Sequence, residues 1–460
     1  MVTVSFQHGT LVVDGPAEVM ATLDAWCVAD ARIGAWRAEA RRYGPLVSYL
    51  HQQRIPYRDQ AKQFAPLALE RHGPPPRPYQ SEALAAWQAA QRCGVIVLPT
   101  GAGKSLVAHL ALMATQRPAL VVVPTIDLLQ QWASQLEAAF GQSVGMLGGG
   151  SKEVLPLTVS TYDSAAMLME FIGHRFGLLI VDECHHLPGA TYRQIATLSL
   201  APFRLGLTAT PERTDGGEAL LYDLLGPLVF RRDIDELEGK VLAPYRTECL
   251  QLALAPDEEA EYRRCYETYI GFVRQQGISF NQPQGWAQFI GQCARSPAGR
   301  EAFQAYLAQK RIARTSRAKF ATLWELLRRH LGERVLIFTA DNDTAYAIGQ
   351  RFCLPVLTHH TKARERKQFL DAFRRGDYPV LVTSRVLNEG IDVPEASVGV
   401  VVSGTGSIRE HVQRLGRILR PARGKQATLY ELVSQGTSEY YVSDRRRQHR
   451  AYQRPHPLSR

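Results

Sequence analysis

Residues 95–105 of the chain read VIVLPTGAGKS, an apolar run followed by a glycine-rich turn, a lysine and a hydroxyl residue. The run predicts a buried strand, and the residues after Ser105 predict a helix. Glycines in such a turn let backbone N–H groups point inward around phosphates, and the start of a helix adds partial positive charge. The segment from Pro99 to Ser105 therefore predicts a phosphate-binding loop. The alternative is an ordinary glycine-rich turn before a helix.

This loop predicts that the chain binds ATP together with Mg²⁺. Lys104 would neutralise the β- and γ-phosphates, and the Ser105 hydroxyl would bind Mg²⁺. The general phosphate-loop pattern asks for glycine where Leu98 stands, but proline and threonine before Gly-x-Gly-Lys form the helicase variant of that loop. The predicted nucleotide-binding residues of the loop are Pro99, Thr100, Gly101, Ala102, Gly103, Lys104 and Ser105.

An acidic pair, Asp182 and Glu183, follows the apolar run 178–181 at the end of another predicted strand. Asp182 would hold Mg²⁺ through water, and Glu183 would act as general base for the attacking water. His185 would relay the state of the nucleotide to the threonines of the segment 206–211, which reads GLTATP. Alone, such a pair is more typical of a solvated loop. The phosphate loop upstream favours the catalytic interpretation.

Two polar residues, Arg77 and Gln80, lie just upstream of the phosphate loop in the segment RPYQ. A guanidinium and an amide at this point can bond an adenine edge, which would favour ATP over GTP. The alternative is an ordinary junction between a linker and a helix.

A second group of polar residues lies far downstream. Gln413, Arg417 and Arg420 are spaced at i, i+4 and i+7, so they share one helix face. Such a face can present two guanidiniums to the γ-phosphate, one of them as an arginine finger. Gly390 and Asp392 are expected to approach the ribose or the metal. A basic surface face is the alternative interpretation for the arginines.

Apolar runs alternate with helical stretches in two parts of the chain, which predicts two parallel sheets covered by helices on both faces. Ligands bind such sheets at the carboxyl ends of the strands, where the motifs described above begin. The predicted strands are 95–98, 120–123, 157–160, 178–181 and 203–207 in the first part, and 335–339, 380–383, 398–402 and 427–432 in the second.

The remaining sequence predicts smaller units around these two lobes. Residues 2–13 predict one or two strands around a turn at His8 and Gly9, and residues 17–53 predict mainly helix. The predicted domains are an N-terminal domain at 1–70, a linker at 71–76, a first lobe at 77–240, a helical insertion at 256–316, a second lobe at 317–440 and a basic tail at 441–460.

Composition is that of a globular protein, and its net positive charge is compatible with a polyanionic partner. The chain has 460 residues, of which 45% are hydrophobic, and 54 basic residues exceed 44 acidic ones by 10. Six of the arginines lie in the last 20 residues, where a disordered, solvated end is favoured over a dedicated binding site. Absence of a long apolar run or a secretory signal predicts a cytoplasmic protein with no membrane partner. None of the seven cysteines forms a CxxC pair, which argues against zinc and iron–sulfur sites.

Hydroxyl residues near the predicted strand ends are candidates for contacts with nucleic-acid phosphates, which would give binding without sequence preference. Helix capping is the alternative for some of them. The candidates for nucleic-acid contact are Thr125, Ser160, Thr161, Thr361, Thr383 and Ser384.

Taken together, these segments resemble superfamily 2 helicases, and specifically the XPB family of DNA-repair helicases in its short archaeal and bacterial form. The most specific stretches are 156–165 (PLTVSTYDSA), 180–189 (IVDECHHLPG), 201–210 (APFRLGLTAT) and 411–421. The resemblance implies an α/β protein with two RecA-like parallel-sheet lobes, a small N-terminal α+β domain of the damage-recognition type and a helical, thumb-like insertion. It also implies ATP-dependent 3′–5′ unwinding of DNA or movement along it in repair, with a separate nuclease as a possible partner.

The chain departs from the family pattern just after the segment 206–211. The family carries an Arg-Glu-Asp triplet there, implicated in opening DNA, whereas this chain has Arg213, Thr214 and Asp215. Arg213 and Asp215 remain candidates for DNA contact, and Thr214 puts strand separation in question, with movement along DNA as the other outcome. Two other functions stay open at this point. One is an RNA helicase with the same lobes, and the other is a nucleic-acid-binding scaffold with weak ATPase activity.

Overall fold

The computed structural model describes residues 1–212, 216–237, 244–280, 282, 284–384, 396–404 and 427–440. These residues divide into two compact units, one formed by Met1–Leu237 and the other by the described residues from 244 onward. None of the described helices has the length and apolar character needed to cross a membrane.

The first unit begins with a small five-stranded sheet in the order β3-β4-β2-β1-β5. The N-terminal hairpin turns at His8 and Gly9, as the sequence predicted. Both residues have positive φ. The strands are β1 (Val2–Gln7), β2 (Thr10–Asp14), β3 (Val28–Asp30), β4 (Ala35–Glu39) and β5 (Tyr57–Asp59), and the helices are α1 (Ala17–Met20) and α2 (Tyr43–Gln52). Short 3₁₀ turns occupy Ala21–Leu23 and Ala40–Arg42.

The prediction of mainly helix for residues 17–53 is wrong in its middle part. β3 and β4 form there because β4 pairs antiparallel with β2, and this pairing buries Ala38 in the core of the small sheet. Long-range pairing has overridden the helical propensity of alanine, arginine and glutamate. The core of this sheet also includes Leu200, which belongs to the sequence of the following domain.

The larger sheet of the first unit has eight strands in the order β13-β6-β12-β11-β7-β10-β8-β9, and only the β8–β9 pair is antiparallel. Its strands are β6 (Cys93–Val97), β7 (Ala119–Val123), β8 (Gly145–Gly148), β9 (Ser151–Lys152), β10 (Leu157–Thr161), β11 (Leu178–Asp182), β12 (Phe203–Thr208) and β13 (Leu228–Arg231). The five predicted strands form its centre and are almost wholly buried, so the predicted parallel sheet is confirmed.

The helices of this sheet alternate with its strands. They are α3 (Pro78–Ala89), α4 (Lys104–Thr115), α5 (Ile126–Phe140), α6 (Tyr162–Ile172), α7 (Arg193–Thr197), α8 (Glu218–Leu225) and α9 (Ile234–Leu237), with a 3₁₀ turn at Cys184–His186. Helix α5 begins at a side-chain cap, because the Thr125 hydroxyl accepts a hydrogen bond from the Leu128 N–H.

The second unit contains a six-stranded, fully parallel sheet in the order β14-β19-β18-β15-β17-β16. Its strands are β14 (Tyr245–Leu252), β15 (Val335–Phe338), β16 (Val356–Leu357), β17 (Val380–Thr383), β18 (Val398–Val401) and β19 (Ala427–Ser434). Its helices are α10 (Pro256–Gln275), α11 (Gly285–Arg295), α12 (Pro297–Arg314), α13 (Arg317–Arg329), α14 (Asn342–Phe352) and α15 (Ala363–Arg375).

The predicted helical insertion corresponds to α10, α11 and α12. These helices have a core of their own, centred on Phe289, which is fully buried and packs edge-on against Tyr269 and Tyr306. An aromatic core separate from the sheet explains why the alternation of strands and helices stops in this stretch.

Candidate nucleotide-binding site

The phosphate loop joins β6 to α4 through a left-handed backbone that glycine adopts readily. Gly101 has a φ of 85° and Gly103 a φ of 80°, and α4 begins at the next residue, Lys104. The first N–H groups of α4 therefore point toward the loop, as in a phosphate-binding site. The Lys104 ammonium lies over the loop and donates to the Leu98 carbonyl at 3.3 Å.

Two residues of α3 hold the loop from behind. The buried amide of Gln80 donates to the Ala102 and Gly103 carbonyls at 3.2 and 3.3 Å, and its oxygen accepts from the Arg77 N–H at 2.9 Å. The Tyr79 hydroxyl also donates to the Ala102 carbonyl. Both polar atoms of Gln80 are thus engaged within the protein, and the structure gives Gln80 a role in positioning the loop. Contact of Arg77 or Gln80 with adenine stays a prediction.

Asp182 ends β11 at the carboxyl edge of the sheet, the same edge from which the phosphate loop leaves. Its side chain is buried, and each carboxylate oxygen accepts a hydrogen bond at 3.0 Å, one from the Trp132 indole and one from the Glu183 N–H. Burial raises the pKa of Asp182, while the charge of Lys104 and the bond from Trp132 act in the opposite direction. The Lys104 ammonium and the Asp182 carboxylate therefore lie at the same edge of the sheet.

Glu183 has a left-handed backbone with a φ of 47°, which is strained for a residue with a side chain. The Tyr162 hydroxyl lies at 3.0 and 3.2 Å from the carbonyls of Asp182 and Glu183 and donates to this turn. His185 is fully buried, with its Nδ1 atom 3.0 Å from the Thr208 hydroxyl and 3.6 Å from the Glu183 carboxylate.

This contact places His185 between the acidic pair and the segment 206–211. The Thr208 hydroxyl donates to the Thr210 carbonyl at 3.1 Å and accepts from the Thr210 N–H at 3.2 Å. With its proton donated to the Thr210 carbonyl, the Thr208 hydroxyl accepts from His185 in the tautomer that carries the proton on Nδ1.

The donors at this edge suit a magnesium ion with a triphosphate. Ser105 in the first turn of α4 offers a hydroxyl and Asp182 offers a carboxylate, which are oxygen ligands of the kind Mg²⁺ takes. The Thr100 hydroxyl oxygen is buried in the loop and, within the part of the chain that the structure describes, has no hydrogen-bond partner. Such a group is able to bond a phosphate oxygen.

Comparison with known proteins gives three family models that match successive parts of the chain. They are the xeroderma pigmentosum group B helicase damage recognition domain at residues 4–61, the type III restriction enzyme res subunit at 74–213, and the ERCC3/RAD25/XPB C-terminal helicase at 297–453. The chain is also similar to the DNA 3′-5′ translocase XPB2 of Sulfurisphaera tokodaii, with 39% identity over 90% of this chain and 94% of the relative. The chain belongs to the XPB family.

Other members of the XPB family are longer. The DNA 3′-5′ helicase XPB of Mycobacterium tuberculosis is 34% identical over 83% of this chain, which corresponds to 65% of that protein. Among solved structures, the Pyrococcus furiosus Hef helicase domain matches with a TM-score of 0.52 and 20% identity, covering 80% of this chain and 98% of that one. This likeness shows that the two parallel-sheet lobes form a helicase-type fold.

The candidate nucleic-acid residues of this XPB-family chain have roles inside the fold. Thr125 caps α5, and Thr161 caps α6 by accepting from the Ser164 N–H at 3.3 Å. Ser160 is buried and donates to the Leu147 and Thr161 carbonyls. The sequence had offered capping as the alternative for such residues, and for Thr125 and Thr161 the capping bonds are present. Contact with DNA stays a prediction for all three.

The candidates in the second lobe are similar. The Thr383 hydroxyl is buried and donates to the Ser384 carbonyl at 3.0 Å. Ser384 is buried as well, and Thr361 accepts from the Thr358 N–H at 3.0 Å. Predicted residues that fall outside the described part of the chain are Arg213, Asp215, Gly390, Asp392, Gln413, Arg417, Arg420 and the tail 441–460.

Sequence reasoning missed three residues that support the acidic pair and the loop. Tyr79 and Tyr162 bond backbone carbonyls there, and Trp132 bonds the Asp182 carboxylate directly. Trp132 lies in the segment 123–132 (VPTIDLLQQW), in which the sequence predicts a functional contact only for Thr125. A tryptophan that ends an amphipathic run is usually interpreted as core, and its N–H partner is fixed only by the tertiary fold.

Proposed function

We propose that this chain is an ATP-dependent DNA helicase or translocase that moves 3′–5′ and acts in DNA repair. The observation that carries the proposal is that Lys104 and the Asp182–Glu183 pair lie at the same edge of the first parallel sheet. The relatives named above are a DNA 3′-5′ translocase and a DNA 3′-5′ helicase. Another relative, from Saccharomyces cerevisiae, is a subunit of a general transcription and DNA repair factor.

In the proposed mechanism the phosphate loop binds the triphosphate through its backbone N–H groups and Lys104. Mg²⁺, held by the Ser105 hydroxyl and Asp182, would neutralise charge on the phosphates. Glu183 accepts the proton of the attacking water as general base. His185 then transmits the change at Glu183 to Thr208, which links hydrolysis to a turn outside the pocket.

Residues outside the described part of the chain complete the proposal. Arg417 and Arg420, which the spacing places on one predicted helix face with Gln413, supply positive charge to the transition state, and Gly390 and Asp392 lie near the ribose or the metal. The domain limits given under Sequence analysis, a DNA partner in single-stranded, duplex or forked form, and an accompanying nuclease belong to the same proposal. The RNA-helicase alternative has no support among the relatives named here.

The experiment that tests the proposal compares Lys104→Ala with wild type. The variant should lose ATP turnover and keep DNA binding within a few-fold, because the proposed role of Lys104 is in binding the phosphates of ATP and not DNA. Turnover is measured with single-stranded, duplex and forked DNA and with RNA, and stimulation by DNA over RNA is expected.

Lys152→Ala is the matched control, since Lys152 is an exposed lysine on β9 of the same sheet. It should behave as wild type. Near-normal turnover in Lys104→Ala would refute the nucleotide site, and equal stimulation by RNA would refute the choice of DNA.

A further inference from the structure

Trp132 makes a hydrogen bond that packing alone does not require. It lies on α5 with only 2% of its surface exposed, and its indole N–H donates to one oxygen of the Asp182 carboxylate at 3.0 Å. The other oxygen accepts from the Glu183 N–H, so both oxygens have a donor. A bond to a carboxylate is stronger and more directional than one between neutral groups.

The topology explains how this contact arises. α5 follows β7, which is the direct neighbour of β11 in the sheet, with Val122 paired to Val181. The helix packs over β7, β10 and β8, and the Trp132 indole reaches Asp182 at the end of β11. Leu129 and Leu136 of the same helix are apolar and similarly buried, so burial of this helix face does not by itself require a hydrogen-bond donor. Only the indole adds a donor for Asp182.

We propose that Trp132 is a positioning residue for the magnesium site, holding the Asp182 carboxylate in the orientation in which it receives the metal. This inference rests on the proposed nucleotide site and assigns a function to a residue outside it. Groups that hold a metal-binding carboxylate act on metal affinity through its orientation. Trp132 itself touches neither nucleotide nor metal.

Trp87 offers a matched control in the same domain. It is also fully buried, and its indole N–H donates to the Arg204 carbonyl at 2.8 Å, at the opposite end of the sheet. Trp132→Phe and Trp87→Phe therefore remove the same atoms and one hydrogen bond each. Only the first change removes a bond to Asp182.

The first measurement is binding of a fluorescent, non-hydrolysable ATP analogue during titration with MgCl₂. In Trp132→Phe the Mg²⁺ concentration for half-maximal tight binding should rise about tenfold or more, with metal-free binding unchanged. Trp87→Phe should need the same Mg²⁺ concentration as wild type. An equal Mg²⁺ requirement in Trp132→Phe and wild type would overturn the positioning role alone. A wild type without any Mg²⁺ dependence would overturn the nucleotide site and this role together.

The second measurement is made on the native chain and does not require Trp132→Phe to fold. The chain has six tryptophans, so its ¹⁵N-labelled indole spectrum contains few signals, which Trp→Phe changes at the other five positions assign by elimination. Adding Mg²⁺ with the ATP analogue should shift the Trp132 indole N–H signal and leave the Trp87 signal in place. If both signals stayed in place, or both shifted equally, the assigned role of Trp132 would be wrong.

Discussion

At the scale of single residues, the phosphate loop is shaped by contacts that leave no room for a side chain at Gly103. A Cβ atom there would meet the Gln80 amide nitrogen at 2.6 Å, in addition to the strain of a φ of 80°. The amide cannot withdraw without losing its bonds to the loop carbonyls. Loop shape and the position of α3 are therefore coupled through one side chain.

Gly103→Ala should therefore weaken ATP binding by more than its loss of stability explains. Gly141→Ala is the control, because Gly141 also has a positive φ but no atom within 4 Å of its would-be Cβ. Both changes should cost about 1–2 kcal/mol of stability through the backbone. Thermal unfolding and nucleotide binding measure the two effects. Equal nucleotide affinities in the two variants would show that Gln80 does not hold the loop.

His109 on α4 gives the first unit a pH-dependent stability. Burial lowers its pKa from 6.5 to about 4, and its ring packs against Trp132 and Phe140. Because the folded-state value lies below the unfolded one, the unfolded chain takes up the proton first as pH falls. The contribution is fully present above pH 6.5 and is lost between pH 6.5 and about 4, amounting to about 3 kcal/mol.

His109→Phe should remove this part of the pH dependence while keeping an aromatic ring in place. Urea unfolding at pH 7, 6, 5 and 4 measures the change. The exposed His51→Gln serves as control and should follow wild type. A wild-type pH profile in His109→Phe would mean that other groups, such as the partly buried His174, carry the effect.

At the scale of elements, a fully buried lysine on α13 stabilises the packing of this helix in the second lobe. The Lys319 ammonium donates to the Val402 carbonyl after β18 and to the Glu439 carboxylate after β19, each at 2.6 Å. One side chain thus joins a helix to the ends of two neighbouring strands. Removing one partner of a buried ion pair leaves the other charge without compensation.

Lys319→Met should therefore destabilise the protein by about 3–5 kcal/mol, while Lys319→Met combined with Glu439→Leu should recover much of the loss. Chemical denaturation measures both. Arg263→Met, which breaks an exposed pair with Glu259, should show no comparable loss. A double variant as unstable as the single one would indicate that the Val402 bond, and not the ion pair, carries the stability.

At the scale of the whole molecule, the sheets include residues that lie outside the domain limits predicted from the sequence. β14, at residues 245–252, lies between the predicted first lobe and the predicted insertion, yet it pairs along its whole length with β19 of the second sheet. The core of the N-terminal sheet includes Leu200, which lies between α7 and β12, and Arg41 forms an ion pair with Asp223 of α8. Domain limits along the sequence and packing units in space therefore differ.

Arg417→Ala tests whether hydrolysis needs a residue from the second lobe. By analogy with arginine-finger losses, kcat should fall by about 10³–10⁵-fold with nucleotide binding largely kept. Arg445→Ala in the basic tail is the control and should keep kcat. ATPase assays and thermal unfolding separate catalysis from stability. Wild-type turnover in Arg417→Ala would mean that the first lobe hydrolyses ATP without this arginine.

The local sequence by itself determined the two parallel sheets, the helical insertion, the phosphate loop and the acidic pair. Each of these rests on neighbours in sequence, namely apolar runs of strand length, glycines in a turn and charges at a strand end. The sequence did not predict the edge strands β13 and β14. Such a strand is only partly apolar, and its place in the sheet depends on the strand with which it pairs.

Only the tertiary structure decided what holds those groups in place. Trp132 meets Asp182 across 50 residues, and Gln80 meets the loop across more than 20, at distances set by the order of strands and not by sequence spacing. The same holds for the hydroxyls of Ser160 and Thr383, which are buried and donate to backbone carbonyls. Local patterns fix the backbone, but a side chain's partner is known only once distant segments have packed.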